Sequence, residues 1–331
     1  MDAKGKGSKC ACQGEDAKDI IQSFTIFDIL WRSMVIVGEN MLNAGLARAV
    51  ENFAAVMLPL TEKDLELEWI WKDHGEEGIR FGFFVTIQEL RQLAVELASL
   101  RTPPTSAQRI LGQYHAQYMD VQAAVFGLST ETAERAPAEG EWPIPRIYAH
   151  MLGADIGFSA VVRYALDKHR AGLWTPERMS DEEQMAIIGL TEEEYDLLMG
   201  SPLEELLAFH RDFHHRILAE FSSITDAELE LPSTFWEETR FPIRHRLHRF
   251  ESHMIQHTVQ IDKTLVAIHW PPTETKRLIR YLFAALAEVT LNLIGAEGLE
   301  EKCSKLTEVI ASRTAEIEKI IRHINREKTA E

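Results

Sequence analysis

His253-Met254-Ile255-Gln256-His257 sets two histidines four residues apart. In a helix that is about one turn, with both rings on one face. Two imidazoles at this spacing can hold one metal ion. The stretch lies in a helical pattern running from about Ile243 to Ile268, with Leu247, Phe250, Met254, His257, Ile261 and Leu265 on its apolar stripe. Adjacent imidazoles facing a core are hard to satisfy by hydrogen bonds alone, and a metal would satisfy both and fix their tautomers. A third histidine, His150, sits in an earlier helix of similar character. Together the three suggest a metal site inside a helical bundle. The chain also contains a rival pair, His210 and His214, again four apart and followed by His215. His210 lies beside Leu206, Phe213 and Ile217, so it can face inward too. Spacing does not rank one pair above the other, and His115 on another predicted helix is a further candidate.

Working outward, apolar residues recur at three- and four-residue spacing through most of the chain. The patterns run over Asp19 to about Leu58, from Thr86 to Leu100, from Ser106 to about Leu128, from Arg146 to His169, and from Pro202 to about Ile224. Two more follow Pro271-Pro272: Thr273 to about Leu293, and Leu299 to about Glu327, linked through Gly295 and Gly298 and read as a hairpin. Thr61 is a plausible N-cap, and the segment Glu62 to Gly82 reads as a short helix or an irregular loop. The connection Gly172 to Ser201 carries one short helix near Thr191 to Met199, and Trp142-Pro143-Ile144-Pro145 stiffens a helix entry. Arg101-Thr102-Pro103-Pro104-Thr105 reads as a boundary. The expected organisation is a disordered tail (1–18), a helical region (19–104), a bundle (105–270) and a C-terminal hairpin (271–331).

Composition supports an all-α fold. Of the 331 residues, 45% are hydrophobic, enough for a sizeable core. The net charge of −17 argues against binding a phosphate backbone. The one basic cluster, Arg240, Arg244, Arg246 and Arg249, reads first as a salt-bridged surface and second as a gate for an anionic substrate. Three cysteines, Cys10, Cys12 and Cys303, are too few for a disulfide framework and suggest a reducing, cytoplasmic setting. No signal peptide is expected, and Phe24 to Val37 is too short and too charged to span a membrane.

Two segments resemble the DinB/YfiT family. Pro143 to Ile156, with Arg146-Ile147-Tyr148-Ala149-His150 and Asp155, is similar to the family's second helix, where a histidine is followed five residues later by an acid. Leu247 to Leu265 is similar to its last bundle helix, where a histidine, a second histidine four further on and then a glutamine recur. The resemblance covers about residues 105–270. It implies a DinB-like four-helix bundle with additional N-terminal and C-terminal helices. It also implies His150, His253 and His257 as metal ligands, with Gln260 in place of the family's glutamine and Asp155 in place of the commoner glutamate. Val259 stands where a glycine is usual.

Three protein ligands leave coordination positions open, the pattern of a catalytic site for a divalent ion, zinc first, with nickel and iron also accepting imidazole. The resemblance implies metal-dependent thiol transfer, or a related hydrolysis, on a small molecule, with a low-molecular-weight thiol as partner. Asp155, Gln256 or Gln260 would orient the ligand or the nucleophile. The alternative is a non-catalytic scaffold or partner-binding protein with a vestigial metal site. No nucleic-acid or membrane partner is expected, and a homodimer is compatible with these features.

Overall fold

The computed structural model describes residues 43–330 apart from 73, 76, 174–176 and 238, with side chains to 323. The expected tail, with Cys10 and Cys12, and the helix opening at Asp19 lie largely outside the described residues.

Four long helices form the central bundle: α3 (Ser106–Val125), α5 (Ile144–Arg170), α8 (Leu203–Phe221) and α9 (Ile243–Ala267). Helix α9 packs against both α5 and α3, and α8 closes the ring against the same two. Each start has a local cause. Thr105 caps α3 in a reciprocal box with Gln108. Proline stands at the threshold of α5, α8 and α9 (Pro143, Pro202, Pro242), where its fixed φ suits entry and its missing N–H costs nothing. The core-facing stripe of α9 is buried as its period predicts: Leu247, Phe250, Met254, His257 and Ile261.

Outside the bundle lie α1 (Ala44–Met57), α2 (Phe81–Leu100), α10 (Glu274–Thr290) and α11 (Ser304–Ala330). Helix α10 lies against α2 and α3, whereas α11 lies against α1. The two segments read as a hairpin therefore dock mainly on different partners. Arg280 ties α10 to the bundle, bridging Asp120 of α3 (2.8 Å) and Asp262 of α9 (2.9 Å). Arg313 of α11 is fully buried, donates to Glu89 of α2 at 2.7 Å, and stacks its guanidinium 4.5 Å from the Trp71 ring centre. Burial of that charge is tolerable because it is paired.

Boundaries differ from the sequence reading where local chemistry intervenes. Helix α2 begins at Phe81, five residues before Thr86, because the 3₁₀ turn Gly78–Arg80 feeds directly into it. Gly78 has φ +60°, and an added Cβ would meet the Leu67 carbonyl at 2.5 Å, so glycine is required there. Thr61 accepts from the Asp64 N–H at the start of the 3₁₀ segment Asp64–Glu66, whose N-cap position is Lys63. The 172–201 connection holds two short helices, α6 (Asp181–Ile188) and α7 (Glu192–Met199), each opened by a capping box, Ser180 with Glu183 and Thr191 with Glu194. A short helix α4 (Thr130–Ala133) follows α3.

Candidate metal centre

Helices α5 and α9 lie side by side, and their facing histidines meet, His150 from the first third of α5 and His253 and His257 from the middle of α9. The candidate ligand atoms of His150, His253 and His257 all lie within 4.8 Å of one another. His253 Nε2 and His257 Nε2 are 3.1 Å apart. The His150 ring centre is 4.8 Å from that of His257 and 5.4 Å from that of His253. His253 and His257 are buried, while His150 is exposed at the rim.

The electrostatics favour neutral imidazoles. Burial, and then the neighbouring His257, His150 and Arg249, push His253 down to about 4. Burial likewise lowers His257, partly offset by its hydrogen bond to Gln260. Gln260 Oε1 lies 2.9 Å from His257 Nδ1. An amide carbonyl can only accept, so the proton sits on Nδ1 and the Nε2 lone pair points at the other histidines. His253 Nδ1 is buried without a partner. Three convergent ring nitrogens, one of them already oriented by an acceptor behind it, fit a divalent metal ion. Among the described residues they are the one group of three or more potential ligands that converges in this way.

Two surface clefts open onto the trio, separated by Trp142. One, about 650 Å³, is lined by His150, His257, Gln260 and Lys263. The other, about 620 Å³, is lined by His150, His253, Arg146, Arg249, Tyr195 and Trp236. Trp142 meets His150 edge-on at 5.6 Å, and the Arg146 guanidinium lies 4.7 Å over the Trp142 ring. Gly153 and Gly157 form the wall of the second cleft. A Cβ at Gly153 would lie 2.8 Å from the Tyr195 hydroxyl, and one at Gly157 would lie 3.1 Å from Phe235. Beyond them the loop over Pro232–Ser233 (β1) and Phe241–Pro242 (β2) is pinned by buried Arg246, which donates to Ser233 Oγ at 3.1 Å and pairs with Glu237.

The basic cluster thus divides. Arg244 and Arg246 are spent on Glu230 and Glu237, whereas Arg249 lines the cleft. Gln260 stands against the trio. Gln256 is exposed and lines neither cleft. Asp155 lies one layer deeper, fully buried, its Oδ2 accepting from the Tyr114 hydroxyl at 3.0 Å. Burial raises its pKa against the opposing pull of His210, Tyr114 and His257.

His115, His210 and His214 do not join the trio. They belong to a polar layer in the bundle core. His115 Nδ1 lies 2.9 Å from His214 Nε2, and His115 Nε2 lies 2.6 Å from Thr290 Oγ1. The Thr290 hydroxyl already donates to the Leu286 carbonyl, so His115 donates to Thr290 and accepts from His214. His210 Nδ1 pairs with the Tyr148 hydroxyl at 2.8 Å, and its Nε2 is 3.4 Å from Asp155 Oδ2, too poorly aligned for a hydrogen bond.

The sequence reading had Arg249 only within the candidate anionic gate, and overlooked Trp142 and Arg146 as site residues. The signal was present in their spacing. Arg146 precedes His150 by four residues and Trp142 precedes Arg146 by four, while Arg249, His253 and His257 repeat the interval on α9.

Residues 113–261, just under half of the chain, match the family model described as the DinB superfamily. The match lies within the helical bundle and supports a DinB-like assignment for it. Comparison with curated proteins gives no match, and neither does comparison with solved structures. No helix of the described residues is long and apolar enough to cross a membrane.

Proposed function

We propose that the protein is a metal-dependent S-transferase that joins a small thiol to a small electrophile, with His150, His253 and His257 holding a divalent ion, zinc first. The observation that carries this reading is the convergence of three imidazoles beneath open clefts. A scaffold with a vestigial site would more naturally have its histidines parted or the space above them filled. When bound, an ion with three protein ligands keeps an open position at which the pKa of a thiol or water falls toward neutrality.

The chain's own residues supply the rest. Burial keeps His253 and His257 unprotonated at neutral pH, so their lone pairs are available. Gln260 fixes the tautomer and direction of His257. Arg146 and Arg249 rim the second cleft as cations and would attract the carboxylates of an anionic thiol. Asp155 acts from behind the ligands, its charge reaching His257, and touches no cleft.

The test begins with metal analysis of the purified full chain and of His253→Ala. Wild type should carry close to one equivalent and the variant far less; equally little in both rejects the site. A panel of thiols and electrophiles, with water as the competing nucleophile, then separates transfer from hydrolysis. No turnover of any pair by metal-loaded protein would favour the non-catalytic reading.

A further inference from the structure

A separate cavity of about 340 Å³ lies where the outer helices meet the bundle, walled by α1, α3, α8 and α10. None of its lining residues borders the clefts at the histidine trio. Its volume lies within the range of about 300–1,000 Å³ usual for small-molecule pockets. Two of its four walls, α1 and α10, lie outside residues 113–261, so the matched bundle alone does not form it.

The lining is divided by chemistry. Met119, Leu207, Phe283 and Leu286 supply apolar wall. The His115 and Thr290 polar atoms are used up in the chain of bonds described above and offer no vacant donor. Arg211 stands at the mouth, hydrogen-bonded to the Tyr118 hydroxyl; Arg48, Glu51 and Glu204 also line the cavity, but among the described residues no carboxylate forms an ion pair with Arg211. Its charge is felt inward, at Tyr118, Tyr148 and His215. At Tyr118 it outweighs the opposing Glu51. His215 lines the cavity with its Nδ1 buried and unpartnered. A guanidinium outside any ion pair at the mouth of a pocket with one apolar wall suits a carboxylate head on an apolar body.

We propose that this cavity is a second ligand site, taking a small monocarboxylate whose head meets Arg211 and whose apolar body packs on Met119, Leu207, Phe283 and Leu286. This does not rest on the metal chemistry above. The test is calorimetric titration of the full chain with octanoate, octylamine and octan-1-ol. Octanoate should bind at least tenfold more tightly than the other two. Arg211→Ala, at an exposed position, should weaken it about tenfold, and Ala47→Trp should abolish it by filling the cavity from α1. His257→Ala should leave it unchanged. Failure of octanoate to bind, equal binding of octylamine, unchanged binding by Arg211→Ala or by Ala47→Trp, or loss in His257→Ala, which would place the carboxylate at the histidine trio, would each overturn the assignment.

Discussion

Gln260 shows how much one amide can decide. It neither faces the core nor carries charge, yet it holds the proton of His257 on Nδ1 and so points Nε2 at its neighbours. Replacing it with leucine should lower divalent-metal affinity by about ten- to a hundredfold, the usual loss when an acceptor behind a histidine ligand is removed. Competition against a chromophoric chelator measures this, and an affinity equal to wild type would remove Gln260 from the site. At this scale the sequence was legible in part. The interval between His253 and His257, and the acceptor three residues on, could be read directly from helix geometry. The choice of this pair over His210 and His214 could not, because both pairs face inward and both are buried. What separates them is what lies opposite: a third histidine and open space for one pair, and Tyr148, Tyr118 and Asp155 for the other.

Single elements fold from signals that are mostly local, and loops depend on contacts that are not. The capping boxes at Ser180 and Thr191 mark two short helices in a segment read as having one, so the second helix was written in the chain as plainly as the first. The loop between α8 and α9 is different. Its conformation hangs on Arg246, a residue of α9 that reaches back to Ser233 and Glu237, which no local pattern announces. Arg246→Met should destabilise the protein by about 3 kcal/mol, because it leaves Glu237 and the Ser233 hydroxyl with their partner gone in a largely buried place. It should also release Phe235 and Trp236 from the cleft wall. Urea unfolding measures the first effect and protease susceptibility of the 232–242 loop the second; a stability and cleavage pattern equal to wild type would show that the loop is held by other contacts.

The whole molecule carries an unusual polar layer at its centre, and pH should expose it. Burial pushes His115 down to about 3 and His215 to about 4, and lowers His214 well below its ordinary value. In the unfolded chain each titrates near 6.5, so below that pH the unfolded state binds more protons than the folded one. Stability is then full above about pH 6.5 and drains as pH falls toward the folded values. His115 alone should cost about 2 kcal/mol between pH 6.5 and pH 5. Asp155 acts with the opposite sign, since its raised pKa gives stability at low pH that is lost as pH rises through the folded value. Asp155 and the likewise raised Asp212 do not outweigh the lowered imidazoles, which also include His245, His253 and His257. The urea midpoint should therefore drop clearly from pH 7.5 to pH 5, and His115→Leu should flatten that slope while lowering the plateau; a midpoint independent of pH would mean that the layer is hydrated. The docking of the outer helices was the least legible part of the whole. It rests on Arg280 and Arg313, whose partners lie far off in sequence and share no spacing rule with them. Arg280→Ala should cost about 1 kcal/mol, discounted for partial exposure of the pair, and read as a lower melting temperature.

Trp142, edge-on to His150 at the divide between the two clefts, has an optical consequence. An indole so placed reports the electronic nature of whatever the histidines hold. A closed-shell ion such as zinc should leave its fluorescence nearly intact, whereas nickel or iron, with partly filled d shells, should quench it. The difference spectrum between wild type and Trp142→Phe isolates that one emitter from the other tryptophans. The chain thus contains its own photometer for the identity of an ion held there.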